Sequence, residues 1–214
     1  MVDFLIDEYG VPKAWTSGDV VHPNEPHNIQ QYQVSPDQII FFGRFVVRNF
    51  ADDHETVMLP PVGKVYRDLL GVSLNTNSFH MVDVDSSTKM KAYKGNDIVP
   101  VGMIDTTFSV AMDMVIQDGT TDVLTAPLSV ICSADNTAGK LYVGTTPPAN
   151  SIALISDKFS LRTRQDIKSS TNYYLYIKAG TQLQTDYNQT DTTKADFLKN
   201  KPALSTKTIN SGDK

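Results

Sequence analysis

Residues 108–116 read Phe108-Ser109-Val110-Ala111-Met112-Asp113-Met114-Val115-Ile116, with a large apolar side chain at every even position. A repeat of two is the signature of a strand, whose successive side chains point to opposite faces. The spacing predicts one strand, with its even positions in a core and its odd positions largely toward solvent. Further apolar runs predict strands at Ile39–Arg48, Glu55–Leu59, Leu69–Leu74, Asp97–Ile104, Leu128–Ser133, Lys140–Val143, Ser151–Ile155 and Asn172–Ile177. The last contains Tyr173-Tyr174-Leu175-Tyr176-Ile177, an aromatic and β-branched run suited to a pleated surface. Turn chemistry separates these runs: Pro60-Pro61, Lys94-Gly95-Asn96, Asp118-Gly119, Asn136, Gly139 and Pro147-Pro148. No stretch of twelve or more residues keeps a helical apolar repeat, although Gly63–Leu70 suits a single helical turn. Many short strands punctuated by turns predict an all-β fold, an antiparallel β-barrel or β-sandwich.

The chain has 214 residues, 40% of them hydrophobic and 20% charged. That is ordinary for a globular domain and too apolar for a disordered chain. A net charge of −5 argues against a nucleic-acid grip. The single cysteine, Cys132, excludes an internal disulfide. No apolar run approaches the roughly 20 residues that a membrane-spanning helix needs. The opening MVDFLIDEYG is acidic and has no basic, then apolar, leader pattern.

Three regions follow from composition. Residues 1–35 read as an extended N-terminal arm, because Pro23 and Pro26 stand in a polar stretch and disfavour a helix. Phe4, Leu5, Ile6 and Trp15 are isolated apolar anchors in it, placed to lie on the chain's own body or to reach over a neighbour. Residues 36–180 form the β-rich body. Residues 181–214 differ in kind: Thr, Ser, Asn and Gln make up 15 of 34 positions, and five lysines stand against four aspartates. Such a segment buries too little apolar area to order itself alone. It docks on the body, stays unordered, or finds a core by association.

Recognisable catalytic chemistry is sparse. There is no glycine-rich phosphate loop, no G-x-S-x-G and no H-E-x-x-H. His22, Glu25 and His27 lie close together, but prolines interrupt them and no further His or Cys is near, so a solvated polar arm is the reading. Asp83-Val84-Asp85 lacks the Gly and Glu of a calcium loop and reads as a connection between strands. Cys132 reads as a small strand residue, and His54 and His80 as isolated surface or satisfied histidines. No carboxylate pair is placed for glycoside cleavage. The tyrosines near 173–187 suit either packing or a carbohydrate surface.

The blocks Phe42-Gly43-Arg44-Phe45-Val46-Val47-Arg48, Val57-Met58-Leu59-Pro60 and Leu69-Leu70-Gly71-Val72-Ser73-Leu74, in that order, resemble the structural cement family of tailed phages. The likeness continues through Lys94-Gly95-Asn96-Asp97-Ile98-Val99-Pro100-Val101 and Phe108–Ile116, and covers about residues 38–180. Asn75–Lys91 reads as an insertion relative to that pattern. The tail segment Gln184-Thr185-Asp186-Tyr187-Asn188-Gln189-Thr190-Asp191 through Asp196-Phe197-Leu198-Lys199-Asn200-Lys201-Pro202 is similar to stalk motifs of phage fibres, head fibres among them. It has Tyr187 where tryptophan is usual and Leu198 where isoleucine is usual.

Together these resemblances imply a non-enzymatic virion structural protein, a capsid decoration, cement or head fibre protein on the outer capsid surface. They imply a homotrimer bridging neighbouring capsomers. Three copies of the tail would gather Tyr187, Phe197, Leu198 and Leu204 around one axis. The implied partners are the major capsid protein, further copies of the chain and other head fibre or decoration proteins, with no cofactor, metal, nucleic acid or membrane. On this reading the arm, with Phe4, Leu5, Ile6 and Trp15, contacts the shell. A tail or baseplate fibre adaptor and a carbohydrate-binding receptor module remain as alternatives.

Overall fold

The computed structural model describes residues 15–22, 28–51, 56–76, 78–84, 88–163 and 173–179. The chain divides into two units, 1–180 and 181–214, and the second lies outside the described residues. The fold is all-β. In chain order the strands are β1 (Ile29–Val34), β2 (Ile39–Phe41), β3 (Phe45–Arg48), β4 (Thr56–Met58), β5 (Leu69–Ser73), β6 (His80–Asp83), β7 (Lys89–Lys94) and β8 (Ile98–Met103). The second half contributes β9 (Phe108–Val110), β10 (Met114–Ile116), β11 (Leu128–Ile131), β12 (Leu141–Val143), β13 (Ser151–Ala153), β14 (Phe159–Thr163) and β15 (Tyr173–Ile177). A short 3-10 turn at Tyr66–Asp68 falls where one helical turn is predicted, tied by Val65 N–H donating to Asp68 Oδ2 at 2.9 Å.

Five strands close into a barrel in the order β1-β4-β3-β5-β8, with β8 returning to β1 along the register Ile29↔Gly102 to Gln33↔Ile98. The other sheets are β2-β7-β6, β10-β12-β11-β13 and β14-β15-β9. Most pairings are antiparallel, as expected, but β1–β4 and β10–β12 are parallel.

Strand β3 lies between two cores. Val46 joins Val34, Val57, Val99 and Val101 in one cluster, which includes inward-facing barrel residues. Phe45 and Val47 belong to a second cluster with Leu69, Val72, Phe108, Leu141 and Phe159, where the barrel meets the other sheets. A strand covered on both faces needs apolar residues at consecutive positions, which is why Phe45-Val46-Val47 shows no alternation. Strand β1 turns inward only at its end: Tyr32 and Val34 join the first cluster, while Ile29, Gln30, Gln31 and Gln33 are exposed.

The structure departs from the sequence reading in five places. The predicted strand Ile39–Arg48 is two strands, β2 and β3, in different sheets, because the chain turns sharply at Phe42–Arg44. The predicted strand 108–116 is two strands, β9 and β10, in different sheets. Between them Gly18 N–H donates to Ala111 O at 2.7 Å and Asp113 N–H to Gly43 O at 2.9 Å, so neighbouring loops take over the backbone bonding. The odd positions do not face water either, since Ser109 and Ala111 are buried. Residues 29–34, placed in the arm, form barrel strand β1, whose three glutamines give it a polar reading. The insertion-like segment 75–91 holds β6 and the start of β7. Strand β14 was not anticipated.

Candidate functional site

The Phe42-Gly43-Arg44 block makes a sharp entry into β3. Gly43 has φ +69°, and a Cβ there would sit 2.7 Å from Gly18 N and 2.8 Å from Ala111 O, so only glycine fits. Buried Ser73 holds the turn: its hydroxyl donates to Phe41 O at 2.7 Å, and Arg44 N–H donates back to that hydroxyl at 3.1 Å. The turn drives Arg44 inward, where its side chain is fully buried.

Arg44 Nε donates to Asp113 Oδ2 at 2.8 Å, and Nη1 donates to the carbonyls of Asn136 and, at 3.3 Å, Ala138. The guanidinium carbon stands 4.2 Å from the Phe41 ring centroid. Lys140 Nζ also reaches Asp113, at 3.5 Å. Burial pulls the Arg44 pKa below its ordinary value and the Asp113 carboxylate opposes that pull. The side chain stays charged, since guanidinium starts so high. One arginine therefore binds the β2–β3 turn, the entry to β10 and the 133–138 loop. This is structural glue, and both charges are committed to each other.

Trp15 is the one anchor of the predicted shell-contact arm that lies among the described residues. It packs edge-on against Tyr174 at 5.3 Å, in a cluster with Val21 and Ala111. Residues 18–21 bond to β9 and its exit, with Val21 N–H on Ser109 O at 2.8 Å and Ala111 N–H on Asp19 O at 2.9 Å. Trp15 is thus packed on its own domain, one of the two placements open to the arm's anchors. Phe4, Leu5 and Ile6 lie outside the described residues, as do Tyr187, Phe197, Leu198 and Leu204.

The other singled-out residues find ordinary places. His22 lies edge-on to Tyr174 at 5.7 Å, while Glu25 and His27 are outside the described residues. Among the described residues no three His, Cys, Asp or Glu side chains gather around a potential metal position. Cys132 is buried just after β11, and burial, with Asp68 adding, pushes its thiol up to about 11. Its sulfur is a thiol at neutral pH. His80 Nε2 meets Asp97 Oδ2 at 3.2 Å on the surface. Two rings of β15 are engaged: Tyr174 by Trp15 and His22, and Tyr176 by Arg162, whose guanidinium carbon is 3.6 Å from the ring centroid.

What the surface does offer is exposed apolar side chains where the chain turns out of the barrel. Phe50, after β3, is 54% exposed; Val62 and Val65, after β4, are 57% and 48% exposed. Lys64 Nζ lies 4.8 Å from the Phe50 ring centroid, which brings the 61–65 loop beside the β3–β4 turn. Among the described residues Ile98 and Met81 are comparably open, at 55% and 53%, but Phe50, Val62 and Val65 belong to two neighbouring turns. Sequence reasoning passed over them, although an aromatic inside the polar turn Arg48-Asn49-Phe50-Ala51-Asp52 was a readable signal.

A scan against protein-family models finds no match to this chain, and a search of curated proteins finds none.

Proposed function

We propose that this chain is a non-enzymatic phage virion protein that decorates the outer capsid surface, as a cement or head fibre protein. It binds the major capsid protein and bridges capsomers as a homotrimer joined through residues 181–214. The observation that carries the reading is the exposed apolar tip of Phe50, Val62 and Val65. The tip flanks β3 and β4, the strands made by the Phe42–Arg48 and Val57–Pro60 blocks that resemble the cement family. Contact across a seam between shell subunits, repeated in each copy of a trimer, gains strength from multivalency without any one contact being strong.

The test is co-sedimentation with purified shells of the phage that encodes the chain. Wild type is expected to saturate the shell. Phe50→Asp/Val62→Asp/Val65→Asp, which changes only exposed positions, is expected to lose at least about tenfold in affinity, since each buried apolar side chain is worth about 1.5–3 kcal/mol. Equal occupancy by the variant refutes the tip as the contact, and no occupancy by wild type refutes decoration altogether.

A further inference from the structure

A cleft of about 470 Å3 opens between β2, the end of β6, the exit of β4 and the 133–138 loop. Its apolar lining includes Ile39, Phe41, Met58, Pro61, Val82 and Val84. Its charged lining is of one sign: Asp37, Asp83 and Asp135 line it, with no lysine or arginine among its described lining residues. The nearest buried cation, Arg44, stands behind the wall at Phe41, Asn136 and Ala138 and is already paired with Asp113.

We propose that this cleft docks a lysine- or arginine-bearing segment of a partner polypeptide. Lys and Arg side chains carry an apolar stem and a cationic tip. An apolar lining beside three carboxylates matches that division, with the stems on Ile39, Phe41 and Val82 and the tips at the aspartates. Asp135 is held ready for the role: its Oδ1 accepts from Thr137 N–H at 2.7 Å and from the Thr137 hydroxyl at 2.6 Å, bonds that favour the ionised form. Among the described residues Asp83 has one ion-pair neighbour to give up, Lys89 at 3.6 Å, and both side chains are well exposed. Such a pair is worth little in water and yields to a partner that also covers the apolar lining. The inference does not depend on the capsid reading, because it concerns what the isolated protein binds.

The experiment is an NMR titration of the full-length 15N-labelled chain with a capped hexapeptide alternating valine and lysine. The controls are the same peptide with glutamate for lysine, and spermidine. Amide shifts are expected at Ile39, Val82, Val84, Ala134 and Ala138, with affinity falling as salt rises. The Asp37→Asn/Asp83→Asn/Asp135→Asn variant is expected to bind at least about fivefold more weakly. Ile39→Arg, which keeps every carboxylate but places a cation at the cleft, is expected to do the same and stands alone should the triple variant misfold. The proposal is overturned by absent or scattered shifts, by equal binding of the glutamate peptide, or by undiminished binding to Ile39→Arg. Spermidine binding as tightly as the peptide would assign the cleft to a small polyamine instead. Self-association of the free chain blocked by Ile39→Arg would assign it to a second copy.

Discussion

Replacing Arg44 by methionine removes the charge from a fully buried side chain while keeping much of its volume. Three hydrogen bonds are lost, to Asp113, Asn136 and Ala138, together with the contact over Phe41. Breaking a buried ion pair by removing one partner costs about 3–5 kcal/mol, because the remaining charge is stranded. Asp113 is not wholly stranded, since Lys140 lies 3.5 Å away and its side chain keeps 11% exposure, so the low end, about 3 kcal/mol, is expected. Asp113→Asn leaves the fully buried guanidinium without its carboxylate but with an amide oxygen still accepting from Nε, so a similar cost, about 3 kcal/mol, is expected. The double variant is expected to cost about 2 kcal/mol less than the sum of the two, the signature of a direct pair. Urea unfolding followed by the fluorescence of Trp15, the chain's single tryptophan, reads all four proteins. With a slope of about 2 kcal/mol per molar, Arg44→Met is expected to lower the midpoint by about 1.5 M. A drop under about 0.5 M, or full additivity of the two substitutions, would refute the account of Arg44 as glue.

Two further outcomes follow from the geometry. The Cys132 thiol titrates at about 11 in the folded chain against an ordinary 9.0, so its contribution to stability is whole below pH 9 and is lost as pH rises from 9 toward 11. Native protein at pH 8 is therefore expected to resist a thiol-reactive dye that labels the unfolded chain at once, and Cys132→Ala to flatten the alkaline decline; rapid native labelling would contradict the burial. Trp15→Ala is expected to cost about 2 kcal/mol and to lower the unfolding midpoint by about 4–8 °C through the lost contact with Tyr174. An unchanged melting curve would return Trp15 to the arm.

Legibility varied with how each element is covered. The β class was readable from strand-length apolar runs, and most of the named runs contain a strand of the structure. Strand β1 was not, because three of its six residues are glutamines and only pairing with β4 and β8 makes it a barrel wall. The β6–β7 hairpin was hidden by its lysines and histidine. The repeat of two at 108–116 was real as chemistry but misleading as geometry: the core it feeds surrounds both faces of β9, and hydrogen bonds from the 18–19 and 43 loops end the strand at Val110. Of the candidate surfaces, Phe50 alone was readable, as an aromatic in a polar turn; the 61–65 loop comes beside it, and Asp37 and Asp135 come to line one cleft, only after folding.

By itself the sequence determined the all-β class, the turn glycines and the apolar material of two cores, because backbone torsions and side-chain alternation are local properties. It also placed an arginine after Gly43, without saying where that arginine points. Only the tertiary structure decided that Arg44 is buried against Asp113, that Trp15 lies on Tyr174, and that three aspartates line one apolar cleft. Each of those joins residues far apart along the chain. Their proximity is set by which sheet packs on which, and no local pattern records that.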